Sequence, residues 1–126
     1  MFTNWTIPII VGIVMAAFFL MKRMAFIPEQ EAHKHLAEGA LVIDVRSPEE
    51  FRSGHVPEAI NLPLGELRES LPRRVKDKNQ VLLLHCLSGG RSGIAKGQAR
   101  SLGYVNAFNL GSHARAEKIV RSARGA

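Results

Sequence analysis

The single cysteine of the chain, Cys86, ends an apolar run and opens a turn of small, polar and basic residues, VLLLHCLSGGRSG over 81–93. A thiol at the carboxyl end of a strand, followed by a turn into a helix, lies in the field of the helix N-terminus. Gly89 and Gly90 let the backbone N–H groups from Leu87 through Ser88 to Ser92 curl inward as a nest aimed at the sulfur. Those donors, joined by Arg91, favour the thiolate and make the cysteine nucleophilic at neutral pH. The same cradle suits a negative group that the sulfur attacks or becomes. No neighbouring base is required, because strand alternation points His85 to the face opposite Cys86. A buried, inert cysteine is the plainer reading of a lone thiol. It leaves Gly89, Gly90 and Arg91 unexplained, and a following helix with Gly93 and Gly97 gives up about 1 kcal/mol per glycine against alanine. Close helix–sheet packing accounts for Gly97, and anion cradling for the loop glycines.

Such a loop needs a scaffold, and the pattern along the chain supplies one. Pro28 at a first helical position, with Glu29 and Glu31 in the first turn, begins a helix that Gly39 ends. LVIDVR (41–46) reads as a buried strand that turns polar at its carboxyl end. In the adjoining SPEE, Ser47 is an N-cap, Pro48 the first helical residue and Glu50 the partner of a capping box; Gly54 stops this short helix. AINLP (59–63) is a brief strand, LGELRESL (64–71) a helical turn or two, and VLLLHC (81–86) the most apolar strand. A helix over 92–102 ends at Gly103, NAFNL (106–110) is a last strand, and 113–122 a last helix. Strands alternating with helices predict an α/β fold, a central parallel sheet flanked by helices on both faces. Ligands of such sheets bind beyond the carboxyl ends of the strands, where Asp44, Arg46 and Cys86 all fall.

The 126 residues are 46% hydrophobic and 22% charged, which suits one small domain and excludes a disordered tail. Residues 1–21 carry no charged side chain, so the net charge of +6 belongs entirely to residues 22–126. From Trp5 to Met21 only Thr6 is polar, roughly 25 Å of helix, near the short end of a bilayer crossing. Trp5 suits one interface, and Lys22 and Arg23 the other. A cleaved signal peptide would place its basic residues before the apolar run and a small-x-small site after it, and neither is present. The expected organisation is a transmembrane anchor over 1–23, a linker over 24–28 and a domain over 29–126. Basic residues only after the span place that domain on the cytoplasmic side of the cell membrane. A lone reactive thiol suits the reducing compartment there.

LVIDVRSPEEFRSGHVPEAINLPL followed by VLLLHCLSGGRSGIA resembles the rhodanese family of sulfurtransferases, over about residues 27 to 110. The resemblance implies the α/β sheet already inferred and an active-site cysteine that carries a sulfane sulfur as a persulfide. Cys86 is then the sulfur carrier and Leu87 to Arg91 the loop around it. Asp44 and Arg46 border the pocket, and His55 belongs to a structural turn. The spacing Cys86 to Arg91 is C-x4-R, whereas related phosphatases and arsenate reductases use C-x5-R, whose wider cradle holds a tetrahedral oxyanion. Family members often end in a Gly-Gly turn and a helix bearing a Trp. This chain has LGSHARAEKIVRSARGA there instead, which puts the pocket wall in question.

The reading is a sulfurtransferase at the membrane, moving sulfur from a small anionic donor such as thiosulfate, or from a persulfide, to a thiol acceptor. The alternatives are a tethered, non-catalytic binding module and, more remotely, a phosphatase or arsenate-reductase type of enzyme. No cofactor is expected, and no metal: His33 and His35 face different ways on their helix, and there is no second cysteine. Arg115, Lys118, Arg121 and Arg124 form a basic stripe. It reads first as a solvated face and, more sharply, as a contact for anionic lipid headgroups beside the anchor. Nucleic acid has no aromatic interleaving to support it.

Overall fold

The computed structural model describes residues 4–125, apart from the side chains of residues 22–24. Eleven elements succeed one another: α1 (Thr6–Met24), α2 (Glu29–Ala37), β1 (Leu41–Asp44), α3 (Pro48–Ser53), β2 (Ile60–Asn61), a 3-10 turn (Leu64–Glu66), α4 (Leu67–Arg74), β3 (Leu82–His85), α5 (Gly90–Ser101), β4 (Ala107–Gly111) and α6 (His113–Ala123). The strands form one parallel sheet in the order β2-β1-β3-β4. β3 is therefore interior, and all four of its residues are buried. That is why its sequence is an unbroken apolar run and not an alternating one.

Alternation along β3 divides the core in two. Leu82, Leu84 and Cys86 join Ile43, Leu67, Leu71 and Tyr104 on the face covered by α4 and α5. Leu83 joins Val42, Leu36, Ile119 and Val120 on the face covered by α2 and α6. Cys86 and His85 thus belong to opposite layers, and the His85 ring sits 5.8 Å from that of His113 on α6. Local signals set the helix ends. Ser47 and Glu50 close the capping box of α3, with Pro48 at its first position. Gly39 and Gly103 take left-handed conformations after α2 and α5. Pro28 stands one place outside α2, as its cap.

The N-terminal segment docks on the domain. Within residues 24–28, the Ile27 amide donates to the Asn109 carbonyl at 2.8 Å. Phe26 pairs with Asn109 as an isolated parallel bridge, extending the sheet beyond β4. The helix α1 forms, but among the described residues no helix is long and apolar enough to cross a membrane. Its described side chains, Thr6 to Met21, span about 24 Å against a hydrocarbon core of about 30 Å. Lys22 and Arg23, expected at an interface, lie outside the described side chains.

On the α4/α5 face, the fully buried Tyr104 donates its hydroxyl to the Val75 carbonyl at 2.6 Å, tying the end of α5 to the end of α4. Tyr104→Phe leaves that carbonyl without its side-chain donor and is expected to cost about 1–2 kcal/mol. Urea denaturation should show a lower midpoint at an unchanged slope, since the surface exposed on unfolding is the same.

Candidate active site

β3 delivers Cys86 to the carboxyl edge of the sheet, and its amide extends the ladder by donating to the Gly111 carbonyl at 3.2 Å. The chain then turns through Leu87 and Ser88 into Gly89, whose φ of +102° is left-handed and makes it the N-cap of α5. This turn starts the helix at Gly90, two residues before the sequence suggests. It also aims the Gly89 N–H at the Cys86 sulfur, 2.9 Å away. The Ser92 hydroxyl stands 3.4 Å from the same sulfur. Cys86 has no exposed surface. Burial pushes the thiol pKa up. The Ser92 hydroxyl and the amides of Ser92, Gly89 and Ser88 outweigh burial and bring it below the ordinary value. The donors placed within reach of the sulfur are the Gly89 amide and the Ser92 hydroxyl. Leu87 instead turns an exposed side chain outward, while its carbonyl accepts the His113 amide at 3.1 Å.

Arg91 does not reach the sulfur with a hydrogen bond. Its guanidinium forks onto Glu50, Nη1 to Oε1 at 2.7 Å and Nη2 to Oε2 at 3.0 Å, joining α5 to α3. Glu50 also accepts the Ser47 amide at 3.1 Å, so the capping residue of α3 is the partner of the loop arginine. Arg91 first, then the Ser47 amide, lower the Glu50 pKa from 4.5 to about 2. Arg91 still contributes a positive field at the sulfur, because the Cys86 charge is among the influences that raise its own pKa.

Asp44 and Arg46 are the second correction at this edge. Neither borders an open pocket: Asp44 is fully buried and Arg46 nearly so. They pair with each other, Arg46 Nη2 to Asp44 Oδ2 at 2.7 Å and Nε to both carboxylate oxygens. Nη2 also donates to the Gly54 carbonyl at 2.7 Å, clamping the end of α3 to the end of β1. Polar side chains enclosed at a strand end need internal partners, and these two satisfy each other. Their effect on the loop runs through α3 and its Glu50. His55 keeps a structural place, stacked on Phe51 with centroids 3.9 Å apart.

One site residue escapes the sequence reading. Asn109 of β4 is 1% exposed and sits under the loop. Its Nδ2 donates to the Gly89 carbonyl at 3.1 Å, and its Oδ1 accepts the Ser92 hydroxyl at 2.7 Å and the Gly111 amide at 3.0 Å. The available signal is a lone amide inside the apolar strand AFNLG.

One member of the basic stripe is drawn into the fold and three stay at the surface. Arg115 turns inward to the carbonyls of Leu110 and Ile27, both at 2.6 Å, beneath the Phe26 ring. Arg121 pairs with Glu117 at 2.9 Å and Arg124 with Glu58, both at the surface, and Lys118 is exposed beside them. On α2, His33 bonds the Ser122 hydroxyl at 2.8 Å and His35 stacks on Phe108.

Two outcomes are expected. A Cβ at Gly89 would lie 2.6 Å from Phe26 Cε1 and Cζ on a left-handed backbone. Gly89→Ala should therefore lower stability and slow Cys86 alkylation at neutral pH, and Phe26→Ala should restore part of the stability only, because the φ strain remains. Glu50, with its folded pKa depressed to about 2, contributes stability that is complete above 4.5 and is lost as pH falls toward 2. Denaturation midpoints followed across that window should fall less steeply in Glu50→Gln.

Comparison with known proteins agrees with this geometry. A family model described as rhodanese-like domain matches residues 29–112. The thiosulfate sulfurtransferase PspE of Escherichia coli (strain K12) is 42% identical over 69 residues, covering 55% of this chain and 66% of PspE, just under two thirds of that relative. The thiosulfate:glutathione sulfurtransferase of Homo sapiens is 36% identical over 92 residues, covering 63% of this chain and 80% of its own. The structure of a rhodanese with anions from E. coli superposes with a TM-score of 0.59 at 38% identity, covering 61% of this chain and 91% of the other. With a parallel sheet, a cysteine at its carboxyl edge and a glycine-capped loop around the sulfur, the chain belongs to the rhodanese-like domain family.

Proposed function

We propose that the protein is a sulfurtransferase that carries a sulfane sulfur on Cys86, taking it from thiosulfate or a persulfide and handing it to a thiol. The observation that carries this reading is the enclosed sulfur with the Gly89 amide at 2.9 Å and the Ser92 hydroxyl at 3.4 Å. In the first half-reaction the Cys86 thiolate attacks the outer sulfur of thiosulfate. The sulfur–sulfur bond of the donor breaks, sulfite leaves with the electron pair, and Cys86 becomes a persulfide. In the second, an acceptor thiolate attacks the outer sulfur of that persulfide, forms its own persulfide and returns Cys86 as thiolate. The loop donors favour the anion at both ends of the cycle. Relatives named for thiosulfate and glutathione, and a related rhodanese described with anions, support a small anionic donor and a thiol acceptor.

A membrane setting is the second part of the proposal. Large apolar side chains along α1 are exposed, Ile7 at 65% and Met21 at 73% among them, and Trp5 just before the helix is exposed at 75%. Each would gain about 1.5–3 kcal/mol by leaving water. The uncharged run over residues 5–21 suits lipid as its cover, and the basic residues beyond it favour the cytoplasmic face for the domain. Of the C-terminal cations, Lys118, Arg121 and Arg124 are exposed, the two arginines already paired with Glu117 and Glu58, so anionic headgroups would gain a modest contribution beside the helix.

In sulfur transfer from thiosulfate to cyanide or a thiol, Cys86→Ser should lose all turnover, because a hydroxyl cannot hold a persulfide. Mass spectrometry after donor treatment should find one added sulfur on Cys86 and none on the serine variant. Turnover in the serine variant overturns the assignment. The membrane part has its own readout: the full chain should stay with membranes through a carbonate wash, and protease outside intact cells should leave the domain whole.

A further inference from the structure

The Ser92 hydroxyl has one proton and three acceptors in reach: Asn109 Oδ1 at 2.7 Å, the Gly89 carbonyl at 3.2 Å and the Cys86 sulfur at 3.4 Å. The Gly89 carbonyl is already engaged by the Gly93 amide and by Asn109 Nδ2, both at 3.1 Å. The real choice lies between Asn109 and the sulfur. Asn109 cannot resolve that choice by rotating its amide. Nδ2 faces a carbonyl and Oδ1 faces the Gly111 N–H at 3.0 Å, so a flip would set like against like at both ends. Oδ1 is therefore a fixed acceptor inside a buried site.

We propose that Asn109 is a positioning residue that holds the Ser92 hydroxyl proton while the Cys86 sulfur is neutral and yields it when the sulfur is charged. As a thiol, Cys86 leaves the hydroxyl on Asn109, the shorter contact. When the thiol proton departs to solvent, a charged acceptor outcompetes an amide oxygen, and the hydroxyl turns to the sulfur. Asn109 Oδ1 keeps the Gly111 amide and is not left bare. Once the sulfur is in a persulfide, charge moves to the outer atom and the hydroxyl returns to Asn109. No covalent bond changes in the turn; the hydroxyl reorients once per half-reaction. The persulfide step rests on the proposed sulfurtransferase activity, whereas the thiol–thiolate step does not.

The test is the pH dependence of Cys86 alkylation by iodoacetamide in the full chain. The charged groups near the sulfur stay the same in the Ser92→Ala, Ser92→Thr and Asn109→Leu variants: Arg91 with Glu50 from α5 and α3, and Asp44 with Arg46 from the end of β1. From β3 and α6, His85 and His113 belong to the other layer. Ser92→Ala should raise the midpoint by about one pH unit, and Ser92→Thr should restore it. Asn109→Leu, similar in shape but unable to accept, should lower the midpoint, because the neutral thiol form loses the acceptor that favoured it. In the Ser92→Ala background, Asn109→Leu should leave the midpoint unmoved. A residue that merely braced Gly89 would do the opposite, raising the midpoint both alone and with Ser92→Ala, and that result overturns the proposal. Should thermal denaturation show Asn109→Leu unfolded, Asn109→Asp reads the same coupling. Its rise in midpoint must be larger with Ser92 present than with Ser92→Ala, and equal rises overturn the proposal. An absence of sulfur transfer with these shifts intact would overturn the proposed function and leave the hydroxyl switch standing.

Discussion

The Cys86 sulfur has no exposed surface, yet its neighbours lower its pKa below the ordinary thiol value and so favour the ion, and the loop is organised around that conflict. Water cannot stabilise the ion, so fixed donors must, and each is held by something further out. The Gly89 amide points inward only because its residue is left-handed, with Phe26 above it and Asn109 below. The Ser92 hydroxyl is placed by the first turn of α5. That helix is placed in turn by its packing on β3, on β4 and against α4. The chemistry of one atom thus draws on most of the sheet.

Two ion pairs frame the loop without touching the sulfur. Asp44 and Arg46 fasten the end of α3 to the end of β1, and Glu50 on that helix receives Arg91 from the loop. The buried Asp44–Arg46 pair adds little net stability, because desolvation offsets much of its attraction, and the half-exposed Arg91–Glu50 pair is screened by water. What they contribute here is connection, β1 to α3 through Arg46 and α3 to α5 through Arg91. The loop arginine is thereby held at one distance from the sulfur, as a field and not as a ligand.

The N-terminal segment is tied to the same place. Phe26 covers Gly89, Ile27 docks on Asn109, and Arg115 fastens the Ile27 carbonyl from α6. The apolar helix α1 therefore ends close to the loop. Leu20 reaches a cleft of about 360 Å³ shared with Gly93 and Ile94 of α5 and Arg68 of α4. Whatever covers α1 sits beside the helix that carries the loop donors.

Much of this was open to reading in the chain itself. The order of elements, the parallel sheet, the capping box at Ser47 and Glu50, and the cradle after Cys86 all rest on local rules: strand alternation, capping geometry, and the need for glycine where the backbone turns left-handed. Tertiary structure alone decided the partners. Arg91 looks free to face the sulfur until the fold brings Glu50 within 2.7 Å from a helix 41 residues earlier. Asp44 and Arg46 look like pocket residues until the sheet encloses them, and Arg115 looks like part of a solvent stripe until α6 packs it over Phe26. Asn109 reads as an oddity in an apolar strand, and only the β3–β4 register sets it beneath Gly89 and Ser92. Local propensity determines where a side chain leaves the backbone, but the acceptor it finds depends on contacts between segments distant in sequence.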